Sequence, residues 1–178
     1  MASTENRQRG FTLVELITVM AIMGILASIG TFFFSRYQQK VAIEKEAATI
    51  YSTLMTVRLD ALHTKTARTL TLGGTQFNVY SSSQITSTPS SSVPLAYPVR
   101  VNASPAQIRF DAGGLLVDAS GIPLGTDPST QITICVDPSG TLADNPASTD
   151  SVQIAITKTF QGKRNSGGAC APSAITQQ

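Results

Sequence analysis

The chain has 178 residues, enough for one domain with an extension and too few for two large domains. Charged residues make up only 13% of it, about half the usual share, and the formal net charge is +2. The whole chain therefore offers no electrostatic case for nucleic acid or strongly acidic partners, although a local basic patch stays open.

Residues 1–10, MASTENRQRG, are short, polar and basic. From Phe11 to Phe34 the chain is almost entirely apolar over 24 residues. At ~1.5 Å per residue this makes about 36 Å of helix, enough to span ~30 Å of hydrocarbon. A secretory signal has a shorter apolar region and a small-residue cleavage site, which LASIG does not supply. A buried core helix would show an amphipathic period, and this run is apolar on every face. The segment thus reads as a membrane anchor. Arg7 and Arg9 precede it and Arg36, Lys40 and Lys45 follow it, so flanking charge leaves its orientation open.

Glu15 is the one acid in this run. An ionisable group inside a membrane segment costs a few kcal/mol unless it is paired or reaches water. Its place near the helix start suits the positive end of the helix dipole. A cut after Gly10 would give Phe11 a new α-amino group, and the amine of a neighbouring subunit would neutralise Glu15 in an assembly.

The stretch RGFTLVEL, Arg9 to Leu16, closely resembles the processing site of type IV prepilins and type II secretion pseudopilins, and ITVMAIMGILASIG is similar to the pilin N-terminal helix. The resemblance implies cleavage between Gly10 and Phe11 by a prepilin peptidase, N-methylation of Phe11, and a role for Glu15 in assembly. It implies a subunit stored in inner-membrane lipid that packs with other pilin or pseudopilin subunits. Many major pilins have Pro where this chain has Phe32; here only Gly24 and Gly30 weaken the helix, by roughly 1 kcal/mol each relative to Ala.

The helical pattern continues past Phe34. Ile43, Ala47, Ile50, Leu54, Val57 and Ala61 alternate spacings of four and three, the period of one apolar helix face. Arg36, Lys40, Glu44, Arg58 and Lys65 fall mostly off it and read as a solvated face. One helix is expected from about Phe11 to about Ala67. Beyond it, short strands are expected at 68–72, 75–81, 98–102, 106–111, 115–119, 131–137 and 152–158, separated by turns such as AGG, SGIP, DPSG and DNPAS. SSSQITSTPSSSVP, residues 81–94, is low in complexity and reads as a surface loop. The expected fold is α+β: a long N-terminal helix, its first half transmembrane, packed by its second half on a small antiparallel sheet. The parts are 1–10 leader, 11–34 membrane or filament-core helix, 35–67 amphipathic half and 68–178 β-rich globular part. IRFDAGGLLVDASG, LDALHTKTARTLTL and ITKTFQGKR resemble elements of the GspH/FimT-like minor subunits of the same family.

Cys135 and Cys170 match no metal spacing. In an oxidising compartment they make one disulfide; the alternative is two buried thiols. The disulfide reading places the globular part in the periplasm, or outside the cell once in a pilus. For catalysis the chain offers little. His63, the sole histidine, has Asp60 three residues before it and reads as a helix-surface pair. HExxH, GxSxG and Walker-type patterns are missing, and so is the DxDxDG spacing of a calcium loop. Asp111, Asp118, Asp127, Asp137, Asp144 and Asp150 mostly adjoin Gly, Pro or Ser and read as turn residues. No enzyme, cofactor or metal is expected. GKRNSGG, 162–168, gives two readings: a solvated turn tied down by a disulfide, or a DNA contact through Lys163 and Arg164. The first leaves a structural minor subunit. The second resembles the FimT-type minor pilins that bind DNA for uptake in natural transformation.

Overall fold

The computed structural model describes residues 11–85, 88–103 and 106–177; Gly10 lies outside them. Helix α1 runs Leu13–Thr64 as one element. Thr12 starts it: its hydroxyl accepts the backbone N–H of Glu15 (3.3 Å), and its carbonyl accepts that of Leu16 (3.2 Å). A Thr followed three residues later by Glu is a helix-start pattern, because the threonine oxygen satisfies a donor that has no partner within the helix. At the other end Lys65 takes φ 55°, the left-handed turn that stops a helix, three residues before the first strand. The helix is therefore shorter at both ends than the expected Phe11–Ala67. Two compact units divide the chain at Gln38 and Gln39.

In the second unit the spacing of the apolar residues sets the packing. Ile43, Ala47, Ile50, Leu54, Val57 and Ala61 are all buried in one core. Two charged neighbours on the helix are buried as well, and for Arg58 this goes against the solvated face the sequence suggests. Arg58 is 5% exposed and Glu46 6%. The Arg58 guanidinium donates to Ala155 O and Ile156 O, both at 3.1 Å, and lies 4.8 Å above the Phe110 ring. Burial pushes its pKa down. The Glu46 carboxylate accepts the N–H of Ala96 at 2.9 Å. Arg58 follows Leu54 by four residues, so it shares the buried arc; its charge is tolerated because carbonyls and a ring receive it.

The core is closed by two five-stranded antiparallel sheets, not the single small sheet of the sequence expectation. In chain order the strands are β1 Arg68–Gly73, β2 Gln76–Tyr80, β3 Ser91–Pro94, β4 Val99–Val101, β5 Gln107–Phe110, β6 Leu116–Val117, β7 Ile132–Val136, β8 Ser151–Ile154, β9 Thr159–Arg164 and β10 Ile175–Gln177. One sheet has the order β3-β2-β1-β5-β6, the other β10-β9-β8-β7-β4. In the first, Leu70 opposes Val79 on one side and Ile108 on the other, so their side chains share the core face. In the second, Ile132, Ile134 and Val136 of β7 face the core with Val152 and Ile154 of β8.

Three strands depart from expectation. β3 forms inside the low-complexity stretch: Val93 opposes Phe77 and packs on the core, while the Ser92 hydroxyl donates to Asn78 Oδ1 at 2.6 Å. The stretch expected as a strand over 152–158 stops at Ile154. Ala155 N–H then donates to Lys158 O in a turn, and β9 returns as a separate strand. β10 adds the chain's last described residues to β9.

Candidate functional site

Two places gather the residues singled out in the sequence. The first is the N-terminal segment. Every described side chain from Phe11 to Phe34 is exposed, Phe11 by 83%. The helix is long and apolar enough to cross a membrane, and the apolar window is not buried by the rest of the chain. Its hydroxyls are silenced locally. Thr18 donates to Glu15 O at 2.9 Å, Ser28 to Gly24 O at 2.6 Å and Thr31 to Ser28 O at 2.9 Å. In hydrocarbon such back-bonding removes the cost of a hydroxyl without a partner. Glu15 is exposed in the first turn, and among the described residues no group donates to its carboxylate. One acid is thus left uncompensated in a segment where the other polar side chains are satisfied.

The second place is the C-terminal part of the second sheet. Cys135 and Cys170 are bonded, with a Cα–Cα distance of 5.9 Å. Cys135 sits on the face of β7 away from the core, and the Cys170 segment covers that face, which is why all five β7 residues are buried. Pro172 O receives the Gln153 side-chain amide at 3.4 Å, joining the same cover to β8.

Lys163 and Arg164 lie at the end of β9, not in a free turn. Arg164 is 2% exposed; its guanidinium donates to Gly168 O and Ala143 O, both at 2.8 Å. The Lys163 ammonium reaches Asp150 Oδ2 at 3.0 Å, Asn145 Oδ1 at 2.9 Å and Asn145 O at 3.1 Å. Both cations that a DNA contact would need are engaged within the fold. The residue sequence reasoning passed over is Asp150, read as a turn residue. It is fully buried, and its Oδ1 accepts the Arg164 N–H at 2.8 Å. Alternation around it carried no signal, because its neighbours SVQI are buried on both faces.

Asp137 is a further buried acid, also read as a turn residue. Burial alone would raise its pKa. Bonds from the Leu142 N–H, the Arg100 guanidinium and the Ser139 hydroxyl outweigh that and hold it below the ordinary aspartate value. Asp60, the expected partner of His63, instead accepts Arg68 Nε at 2.6 Å. A cavity of about 400 Å³ is lined in part by Asn102, Gln107, Arg109, Asp118 and Thr130. Neither Arg58 nor Asp137 lines it.

The family model described as the prokaryotic N-terminal methylation motif matches residues 6–31. No curated protein matches the chain. Two crystal structures of the type IV minor pilin FimU from Pseudomonas aeruginosa are similar in fold. One is 14% identical with a TM-score of 0.51, covering 76% of this chain and 98% of that one. The other is 15% identical with a TM-score of 0.50, covering 82% and 98%. Sequence motif and fold therefore agree: a methylation-type N-terminus on a pilin-like α+β fold.

Proposed function

We propose, from a pilin-like fold that carries an N-terminal methylation motif, that this chain is a structural minor subunit of a type IV pilus or type II secretion pseudopilus. A prepilin peptidase cuts between Gly10 and Phe11, and the new amino terminus of Phe11 is N-methylated. The segment 11–34 holds the subunit in the inner membrane, with the globular part in the periplasm, until it joins other subunits. Its work is assembly rather than catalysis.

The observation that carries this reading is the lone carboxylate of Glu15, without a donor among the described residues in a segment whose hydroxyls are internally bonded. In hydrocarbon that acid gains several kcal/mol from a cation, and cleavage places one at the start of every subunit. Assembly completes an ion pair that the isolated subunit lacks.

Mass spectrometry of the processed chain tests the cut: it should begin with N-methyl-Phe11, and a wild-type chain that keeps its first ten residues would refute the assignment. Glu15→Ala tests the pairing. The variant should insert into the membrane as wild type does and drop at least tenfold in filament fractions. Normal incorporation would remove Glu15 from assembly.

A further inference from the structure

The contacts around Lys163 are more ordered than an ion pair requires. Asn145 Nδ2 donates to Asp150 Oδ2 at 2.8 Å, the same oxygen that lies 3.0 Å from Lys163 Nζ. Asn145 Oδ1 faces Lys163 Nζ at 2.9 Å and also accepts the N–H of Ala147 at 3.1 Å. The partners fix the amide's orientation, since an ammonium only donates and a carboxylate only accepts. One carboxylate therefore touches both an amine and the amino group of a carboxamide, and a backbone N–H already points at the carboxamide oxygen.

The geometry points to a self-formed amide cross-link between Lys163 and Asn145. The proton on Nζ moves to Asp150 Oδ2, which removes both charges from a site where Asp150 is fully buried. The free amine attacks Asn145 Cγ, one bond beyond the oxygen it now contacts. Negative charge develops on Oδ1, where the Ala147 N–H receives it. Asp150 hands a proton to Nδ2, the Cγ–Nδ2 bond breaks, and ammonia leaves. The second proton of Nζ passes to Asp150 and on to the departing ammonia, so the products are a Nζ–Cγ amide, ammonium and an ionised Asp150. No oxidant, metal or co-reactant enters. Asp150 is the acid–base residue of this single turnover, and its own position is set by the Arg164 N–H on Oδ1. The residue after Asn145 is Pro146, which has no N–H, so the chain's own backbone does not compete for Cγ by closing a succinimide ring.

The inference stands whether or not the chain assembles into a filament. Its test is peptide mapping of the full chain, extracted in detergent, reduced and digested with trypsin, both fresh and after days at neutral pH. The expected product is one branched peptide joining residues 110–158 to 159–164, lighter than those two peptides together by one ammonia, about 17 Da. Two separate unmodified peptides at all times would overturn the proposal. Lys163→Arg keeps the charge beside Asp150 but lacks the nucleophile, and should never yield the branched peptide. Asp150→Asn removes the acid–base group and should slow or abolish branching with Lys163 and Asn145 intact. Branching at the wild-type rate in Asp150→Asn would also overturn it.

Discussion

Arg58 shows how a single buried cation fastens the helix to the second sheet. It reaches two carbonyls of the β8–β9 turn and stacks over Phe110 of the first sheet. Removing it takes the guanidinium from Ala155 O, while Ile156 O keeps only the Leu116 N–H at 3.1 Å. Hydrogen bonds to a charged group contribute about 1.5–3 kcal/mol, so Arg58→Ala should lower stability by about 3 kcal/mol in thermal unfolding followed by circular dichroism. A loss under about 1 kcal/mol would mean water replaces the guanidinium. Asp137 makes the opposite case, a buried anion whose donors hold its folded pKa below the unfolded value. Such a group contributes stability above the unfolded value, and that contribution disappears as pH falls through the folded one. The unfolding temperature of the wild type should therefore decline below about pH 4, and Asp137→Asn should show a lower plateau at neutral pH and a shallower acid decline. Parallel curves for the two proteins would contradict the assignment. Neither role was legible in the sequence. Arg58 sits four residues from Leu54 and Asp137 in a DPSG turn, and only the partners brought by distant strands turn them from surface charges into core ones.

Elements divide by whether their own side chains announce them. The helix was legible because an unbroken apolar run leads into apolar residues that repeat at its period, although its start at the Thr12 cap was not. β1, β2, β5 and β7 were legible from β-branched and aromatic residues between turn signals. β9 was not: TFQGKR alternates poorly and contains Gly. What makes it a strand is pairing on both sides, with β8 and β10. Gly162 is needed there because a Cβ would meet Ile175 Cγ2 at 2.5 Å. The turn from β5 into β6 shows the same dependence on a neighbour. Asp111 Oδ1 accepts the N–H groups of Gly113 and Leu115, and Gly114 takes φ 71° with the Leu62 side chain against its Cα. A Cβ at Gly114 would lie 2.7 Å from Leu62 Cγ. Gly114→Ala should cost about 1–3 kcal/mol from backbone strain and crowding, and pairing it with Leu62→Ala should recover only the crowding part. Full additivity in that double-mutant cycle would show that the two positions do not touch.

For the molecule as a whole, what could be read in advance was the plan and not its layering. A helix face of six apolar residues requires a sheet to cover it, and the sequence contains enough short strands to supply one. That they divide into two sheets depends on pairings between distant segments, such as β4 with β7 and β1 with β5, which leave no trace in local pattern. The N-terminal motif was legible because it lies in one contiguous stretch. The cluster of Asn145, Asp150 and Lys163 was not, because it forms only once β8 and β9 pair. The bond between Cys135 and Cys170 spans these same strands and closes 35 residues of chain. Opening it should lower stability by about 3–4 kcal/mol on the loop-entropy account, measured as the shift in unfolding temperature with and without reductant.

That bond also decides how the molecule answers a pull. Tension applied at the two ends of the globular part first peels β10, the three-residue strand at the sheet's edge, and then meets Cys170. From there the load passes straight to Cys135 in β7, and the enclosed chain, including β8 and β9, carries none of it. In the oxidised form the stretched length is therefore capped, about 120 Å short of the full contour that 35 residues would add. Single-molecule stretching should record that missing length as a hidden segment released only by reductant. A subunit built this way keeps β8 and β9 out of the path of the load.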